Sequence, residues 1–237
     1  MTLTELRALT RAMIPGLKTD VCSDTLLDSI LNAGVRDIAT FTQCLPTNKK
    51  FNAVADQGNV GNPYILSSVI TNFLVAGKGG LYWNRGTVAA PDYFKLNPRT
   101  IAWLDANRPN WKDLDSGTPQ DYAIDGDNLI VVPAPSASLT NGFWLFYAKS
   151  PSSMTVVTQY PFSGTTTEYT HLSMFDMAIT YYVRWKAMPM LNKDYIDNYN
   201  LAKGLYVNER TEKSYLLKRR PDIDNSEDAA FKGPKIT

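Results

Sequence analysis

The chain has 237 residues, enough to bury a sizeable core as one domain or a pair. Apolar residues make up 44% and charged ones 20%, an ordinary composition for a soluble globular protein. The 24 basic side chains against 23 acidic ones exclude a global field that would draw the chain to nucleic acid or anionic lipid. Two cysteines, Cys22 and Cys44, are too few for a disulfide scaffold or a Cys-rich metal site and are expected to be small buried hydrophobes.

The opening Met1-Thr2-Leu3-Thr4-Glu5 lacks the basic start and apolar run of a signal peptide. No later stretch reaches the ~20 apolar residues of a membrane span, so a chain made in a cytoplasm with no membrane partner is expected. A first helix is predicted from a Thr2/Glu5 capping box, with Leu3, Leu6, Leu9 and Met13 on one face, ending at Pro15-Gly16. A second starts from a Ser23 cap with Asp24 in its first turn. Its apolar stripe is Leu27, Ile30, Leu31, Val35, Ile38 and Phe41, and Pro46 closes it.

From Lys49 the period changes. The segments 51–56, 64–71 and 80–83 are rich in β-branched and aromatic residues between Gly, Asn and Pro clusters, and read as strands. A short helix is predicted after an Asn97 cap with Pro98 in its first turn, carrying Ile101, Trp103 and Leu104 and stopping at Pro109. The pair Asp125-Gly126, with Asp127, predicts a tight turn between strands in 121–132, and 142–149 predicts a further strand.

The last third returns to helical spacing. Phe175, Ile179, Tyr182, Val183 and Met188 mark a helix over 173–188, broken or kinked at Pro189. Tyr195, Ile196, Tyr199, Ala202 and Tyr206 mark another over 193–217, up to ~38 Å long at 1.5 Å per residue, with a charged solvent side. Beyond Leu217 the segment Lys218–Thr237 has only Ile223, Phe231 and Ile236 as sizeable apolar groups. These are too few to offset the entropy of ordering it alone, so it is expected to fold on a partner.

The expected fold class is α+β. A helical bundle frame (1–46 and 173–217) carries an inserted antiparallel β module (47–172) and ends in an extended C-terminal tail (218–237).

Few residues offer chemistry. His171 is the single histidine, so a His pair or a zinc site with His spacing is excluded, and no Gly-x-Ser-x-Gly turn exists to partner it. Gly77-Lys78-Gly79-Gly80 lacks the spacing and following helix of a phosphate-binding loop and reads as a turn. Asp222, Asp224 and Ser226 begin like a calcium loop, but Glu227 stands where glycine is needed and Gly233 where glutamate is needed. The pairs Asp113/Asp115 and Asp125/Asp127 sit in turn-like contexts, although paired carboxylates with His171 offer a route to a hydrolase. Lys218-Arg219-Arg220 can complement a helix C-terminus as well as a phosphate. Tyr82, Trp83, Phe143, Trp144, Phe146 and Tyr147 form either core and subunit contact or a stacking platform for sugars, without interleaved basic residues.

The stretches LIVVPAP from Leu129 to Pro135 and FWLFYAKSP from Phe143 to Pro151 make a strand ending in Pro-x-Pro and one ending near Tyr and Pro. With AITYYVRWKAM from Ala178 to Met188, then Lys193-Asp194, then YNLAKGLY from Tyr199 to Tyr206, the chain resembles the head-to-tail adaptor proteins of tailed bacteriophages. The resemblance covers the order of elements over nearly the whole chain, and residues 64–92 lie outside it. It implies a virion structural protein, not an enzyme, with no cofactor. The family forms a homo-oligomeric ring, typically of twelve subunits, between the portal protein and the tail or nozzle protein at the head-to-tail junction. The ring encloses DNA without reading its sequence, its helices pack side by side, and a C-terminal extension reaches the portal. On that reading Lys218, Arg219, Arg220, Ile223, Phe231 and Ile236 are the partner-binding residues on the portal or a neighbouring subunit. The alternative is a carbohydrate- or receptor-binding module of a virion, built on the aromatic residues of the middle third.

Overall fold

In chain order the elements are α1 (Leu3–Met13), α2 (Asp24–Thr42), β1 (Pro46–Ala53), β2 (Tyr64–Ile65), α3 (Leu66–Val69), β3 (Phe73–Asn84), β4 (Tyr93–Lys95), β5 (Asn97–Pro98), α4 (Ile101–Asn107), β6 (Asp121–Asp125), β7 (Asn128–Val132), β8 (Leu139–Lys149), α5 (Asp176–Leu191) and α6 (Tyr195–Lys218). The computed structural model describes residues 1–14, 16–108, 110–191 and 195–218. The fold mixes α and β, with helices and sheets largely segregated into two units. Of the described residues, the first contains Met1–Leu45 and those from Ser150 to Lys218, and the second contains Pro46–Lys149.

In the first unit, local chemistry sets the helix starts. Thr2 Oγ1 accepts from Glu5 N at 3.4 Å while Glu5 Oε2 accepts from Thr2 N at 2.7 Å, the reciprocal capping box. Ser23 caps α2 through Leu26 N at 3.3 Å, and Gln43 ends it in the left-handed region at φ 53°. The buried stripe of α2 is Leu27, Leu31, Gly34, Val35, Ile38 and Ala39, whereas Phe41, expected in that stripe, is 46% exposed. α5 packs against α1, α2 and α6, so apolar residues recur around it: Ala178, Ile179, Val183 and Ala187 are all buried. It starts at Asp176, after a 3-10 turn over Thr170–Phe175, and runs through Pro189 to Leu191. The expected start at 173 is thus corrected, and no break at Pro189 ends the helix.

The β module was expected to run to 172, and the division into compact units falls at Lys149/Ser150. The irregular segment after Ser150 belongs with the helices because they satisfy its polar groups. Asn32 and Met154 exchange two hydrogen bonds at 2.8 and 2.9 Å, and Leu3 N donates to Gln159 O at 2.8 Å. Phe162 packs on Phe175 at 6.0 Å.

The second unit is two four-stranded sheets, in the orders β1-β8-β3-β4 and β2-β7-β6-β5, antiparallel throughout except for the parallel β5-β6 pair. Alternation along β8 assigns its side chains to opposite faces. Phe143, Leu145 and Tyr147 join Phe51, Leu81 and Trp83 against Tyr64, Tyr122, Leu129 and Val131 of the second sheet. Burying a side chain of this size stabilises the fold by roughly 1.5–3 kcal/mol. The other face of β6 and β7 places Ala123, Ile130 and Val132 against Leu104 of α4 and Trp111.

Three sequence expectations change here. Residues 64–71 are not one strand: β2 stops at Ile65, because Asp127 accepts from Leu66 N through its carbonyl and from Ser67 N through its carboxylate, both at 2.8 Å, which starts α3. β3 does not begin at Gly80. It begins at Phe73, opposite Lys149 of the long β8, and residues 77–80 are an irregularity inside it, with Gly80 at φ +73°. Asn97-Pro98 is strand, not helix cap: Asn97 N donates to Gln120 O and Arg99 N to Tyr122 O, and Thr100 caps α4 through Trp103 N at 3.1 Å. The turn at Asp125-Gly126 forms as expected, with Gly126 at φ +59° between β6 and β7. Cys22 and Cys44 are free and buried, and burial pushes the Cys44 thiol up to about 11.

Candidate functional site

Of the residues expected to bind a partner, Lys218 is the last residue of α6. Arg219, Arg220, Ile223, Phe231 and Ile236 lie outside the described residues, as do Asp222, Asp224 and Ser226.

The described part of α6 has two contrasting sides. Ala202, Tyr206, Ser214 and Leu217 are buried. The opposite side, one residue every three or four along the helix, carries Leu201, Leu205, Asn208, Glu212, Tyr215 and Leu216. On it Leu201 and Tyr215 are 57% exposed and Leu216 44%. Leucines at such exposure, aligned over four turns, are a candidate contact surface. Sequence reading saw that side only as charged. The signal present was the spacing of Leu201, Leu205 and Leu216, hidden by the lysines and glutamates between them.

The buried side of α6 is clasped to α2 and α5. The Tyr206 hydroxyl donates to the Asp37 carboxylate, which also takes the Arg210 guanidinium at 2.6 Å. Burial and the adjacent Asp37 both push the Tyr206 hydroxyl well above its ordinary range, so it stays a donor. The Arg210 guanidinium lies 4.0 Å over the Phe41 ring, and Tyr206 packs edge-on to Tyr182 at 5.1 Å and parallel to Trp185 at 5.8 Å. Phe41 is therefore outside the apolar core because it serves as the platform for Arg210. This clasp fixes the rotation of α6 about its axis and hence which side chains it presents outward.

The residues considered for chemistry are divided between the two units. His171 lies in the 3-10 turn, stacked on Tyr169 at 6.2 Å, in the first unit. Both Asp pairs are in the second unit. Asp127 is engaged by Ser67, and Asp113 closes a 3-10 turn over Trp111–Asp113. Among the described residues, no three of the His, Cys, Asp and Glu side chains are grouped to hold a metal ion.

The aromatic residues of the middle third divide between the two faces of the first sheet. Trp83, Phe143 and Tyr147 are in the core between the sheets. Tyr82, Phe146 and Tyr93 are buried on the other face with Trp144, whose indole donates to Asn48 Oδ1 at 3.0 Å while Lys50 Nζ sits 4.8 Å from its ring. Among the described aromatic residues of that cluster, Trp144 is the one partly exposed ring.

A buried ion cluster was not foreseen. Asp121 on β6 is wholly buried and takes Arg99 at 3.2 Å and Arg108 at 2.7 Å, with the Arg99 guanidinium 3.9 Å over Trp103. The three charges come from β6, the β5–α4 junction and the end of α4, so only folding brings them together. No family model matches the chain, and no curated protein matches its sequence.

Proposed function

We propose that the chain is a structural adaptor subunit of a tailed-bacteriophage particle. It assembles as a ring, of twelve copies on the family resemblance, that joins the portal protein to the tail and lines the DNA passage without chemistry of its own. In this reading α1, α2, α5 and α6 form a helical bundle frame whose outer α6 side packs on the next subunit. Residues 218–237 continue from α6 onto the portal or a neighbouring subunit.

One observation carries the reading: the terminal helix exposes aligned apolar residues, Leu201 and Leu216 among them, directly before a charged segment poor in apolar residues. A helix side of that kind suits repeated side-by-side packing, and the segment after it suits folding onto a partner. The reading as a carbohydrate- or receptor-binding module draws less support, since burial of Tyr82 and Phe146 leaves Trp144 alone near the surface of that sheet face.

The test is the mass of the purified chain alone and after addition of the portal protein of the same phage. A ring-sized complex with portal is expected. Leu201→Glu with Leu216→Glu should leave the circular dichroism unchanged and abolish the complex, and a chain ending at Leu217 should stay folded and fail to join heads to tails. A chain that never associates with portal under any of these conditions would overturn the proposal.

A further inference from the structure

The second unit has an open seam. Among the described residues β1 is an edge strand that pairs only with β8, and β2 is the edge strand of the other sheet, pairing only with β7. Between them lies an open groove of about 430 Å³. Val54 and Ile65 on its walls are 45% and 41% exposed, with Val69, Gln57 and Ser68 beside them and Lys49 at its rim. β1 lines this trough through 49–52, and its lining is mixed, with Val54, Ile65 and Val69 beside Asn52, Gln57 and Ser68; an edge strand beside such a trough can accept one more strand. Pro46, Lys49 and Lys50 on β1 are what a merely guarded edge would carry, but guarding does not call for exposed valine and isoleucine next to it.

We infer that this groove binds the C-terminal segment of a second copy of the chain, with residues 222–233 added to β1 as an extra strand. The stretch between Pro221 and Pro234 holds no proline, and it is longer than the 8 residues of β1. It opens with Asp222, Asp224, Glu227 and Asp228, which complement Lys49, and it carries Phe231 as the apolar anchor for the trough. From the end of α6 the 19 residues after Lys218 reach up to ~63–68 Å at ~3.3–3.6 Å each, enough to cross to a neighbouring molecule. The inference rests on the assembly reading for the supply of that neighbour.

Disulfide trapping in the full-length chain tests it. Ile65→Cys and Phe231→Cys are placed on separate chains, mixed and mildly oxidised. Val88→Cys, 58% exposed in the same unit, replaces Ile65→Cys as the control, and the native cysteines are retained because both are buried. Expected are at least fivefold more linked dimer with Ile65→Cys than with Val88→Cys, and a loss of threefold or more when Lys49→Glu is added. Equal linking at both positions, or linking only when both cysteines are on one chain, would overturn the inference. Portal binding is measured on the same samples. Linking without portal binding supports the groove and sinks the adaptor reading, whereas portal binding without linking leaves the adaptor reading and removes the groove's occupant.

Discussion

Asp121 is a buried carboxylate held by two arginines. Its carboxylate is wholly buried, and two guanidinium groups, each about a third exposed, converge on it. Removing one partner of a fully buried pair costs roughly 3–5 kcal/mol, and the partial exposure of Arg99 and Arg108 lets water hydrate what is left. Asp121→Ala should therefore lower stability by about 2–3 kcal/mol in urea unfolding followed by tryptophan fluorescence. Asp115→Ala, on an exposed loop, should stay within about 0.5 kcal/mol. Equal effects would mean that the ion cluster is not a stabilising feature. A second charged group reports through pH. Asp24 accepts from Arg11 at 2.7 Å and from Arg7 at 3.3 Å, and the Arg11 hydrogen bond, then the charges of both arginines, hold its carboxyl below the ordinary 3.8 despite some desolvation. A depressed native value means that the unfolded chain takes up the proton first as pH falls. The contribution of Asp24 is thus complete above 3.8 and drains away as pH drops through the native value. Urea midpoints taken at about pH 5 and about pH 3 should fall less in Arg11→Gln than in the parent chain, because the variant has less of this contribution to lose.

Two helical glycines separate packing from propensity at the scale of the element. A Cβ on Gly34 of α2 would lie 3.0 Å from Cδ1 and 3.1 Å from Cγ of Tyr182 on α5, and that ring is held edge-on by Trp185 and Tyr206. A Cβ on Gly204 of α6 would meet nothing within 4 Å. Replacing glycine by alanine in a helix gains about 1 kcal/mol, whereas forcing a methyl into a packed contact costs roughly 1–3 kcal/mol. Gly204→Ala should raise the thermal midpoint and Gly34→Ala should lower it, and two shifts of the same sign would contradict the close α2–α5 approach. The same division between local and distant causes governs what the sequence revealed. Thr2 with Glu5, Ser23, and the Asp125-Gly126 turn were legible because their partners lie within a few residues. The end of β2 was not, because the carboxylate that starts α3 comes from Asp127, sixty residues on. Nor was the start of β3, which depends on pairing with β8, or the strand at Asn97-Pro98, which depends on Gln120 and Tyr122. Among site features, the split of the aromatic residues follows from period-2 alternation once β8 is recognised. The clasp of Asp37 to Tyr206 and Arg210 spans α2 and α6 and has no local signature. The apolar side of α6 was present in the spacing of its leucines, but exposed leucine is ordinary until the structure shows which side is covered.

The whole molecule follows from where the chain leaves and re-enters its helical unit. Pro46 and Thr47 pair with Ala148 and Tyr147, so the entry and exit of the second unit are neighbouring strands, with paired Cα atoms about 4.5–5.5 Å apart. Among the described residues the helical core is drawn only from the first unit, Leu3, Leu6, Leu27, Leu31, Ile38, Phe175, Ile179 and Val183 among its members. The other apolar clusters draw their described members from residues 46–149. Each unit therefore completes its own core, and the short gap between Leu45 and Ser150 can be closed by a few flexible residues at little entropic cost. A chain in which Pro46–Lys149 is replaced by a linker of about four Gly and Ser residues should keep its helical circular dichroism and melt cooperatively. The isolated segment 46–149 should keep the near-ultraviolet signal of Trp83, Trp111 and Trp144, all of which pack within it. If the helical chain instead shows helix content without a cooperative transition, the two units share a core and fold as one. If both pieces fold, portal binding by the helical piece alone would assign the α6 side to assembly, and the groove between β1 and β2 could then be altered without disturbing it.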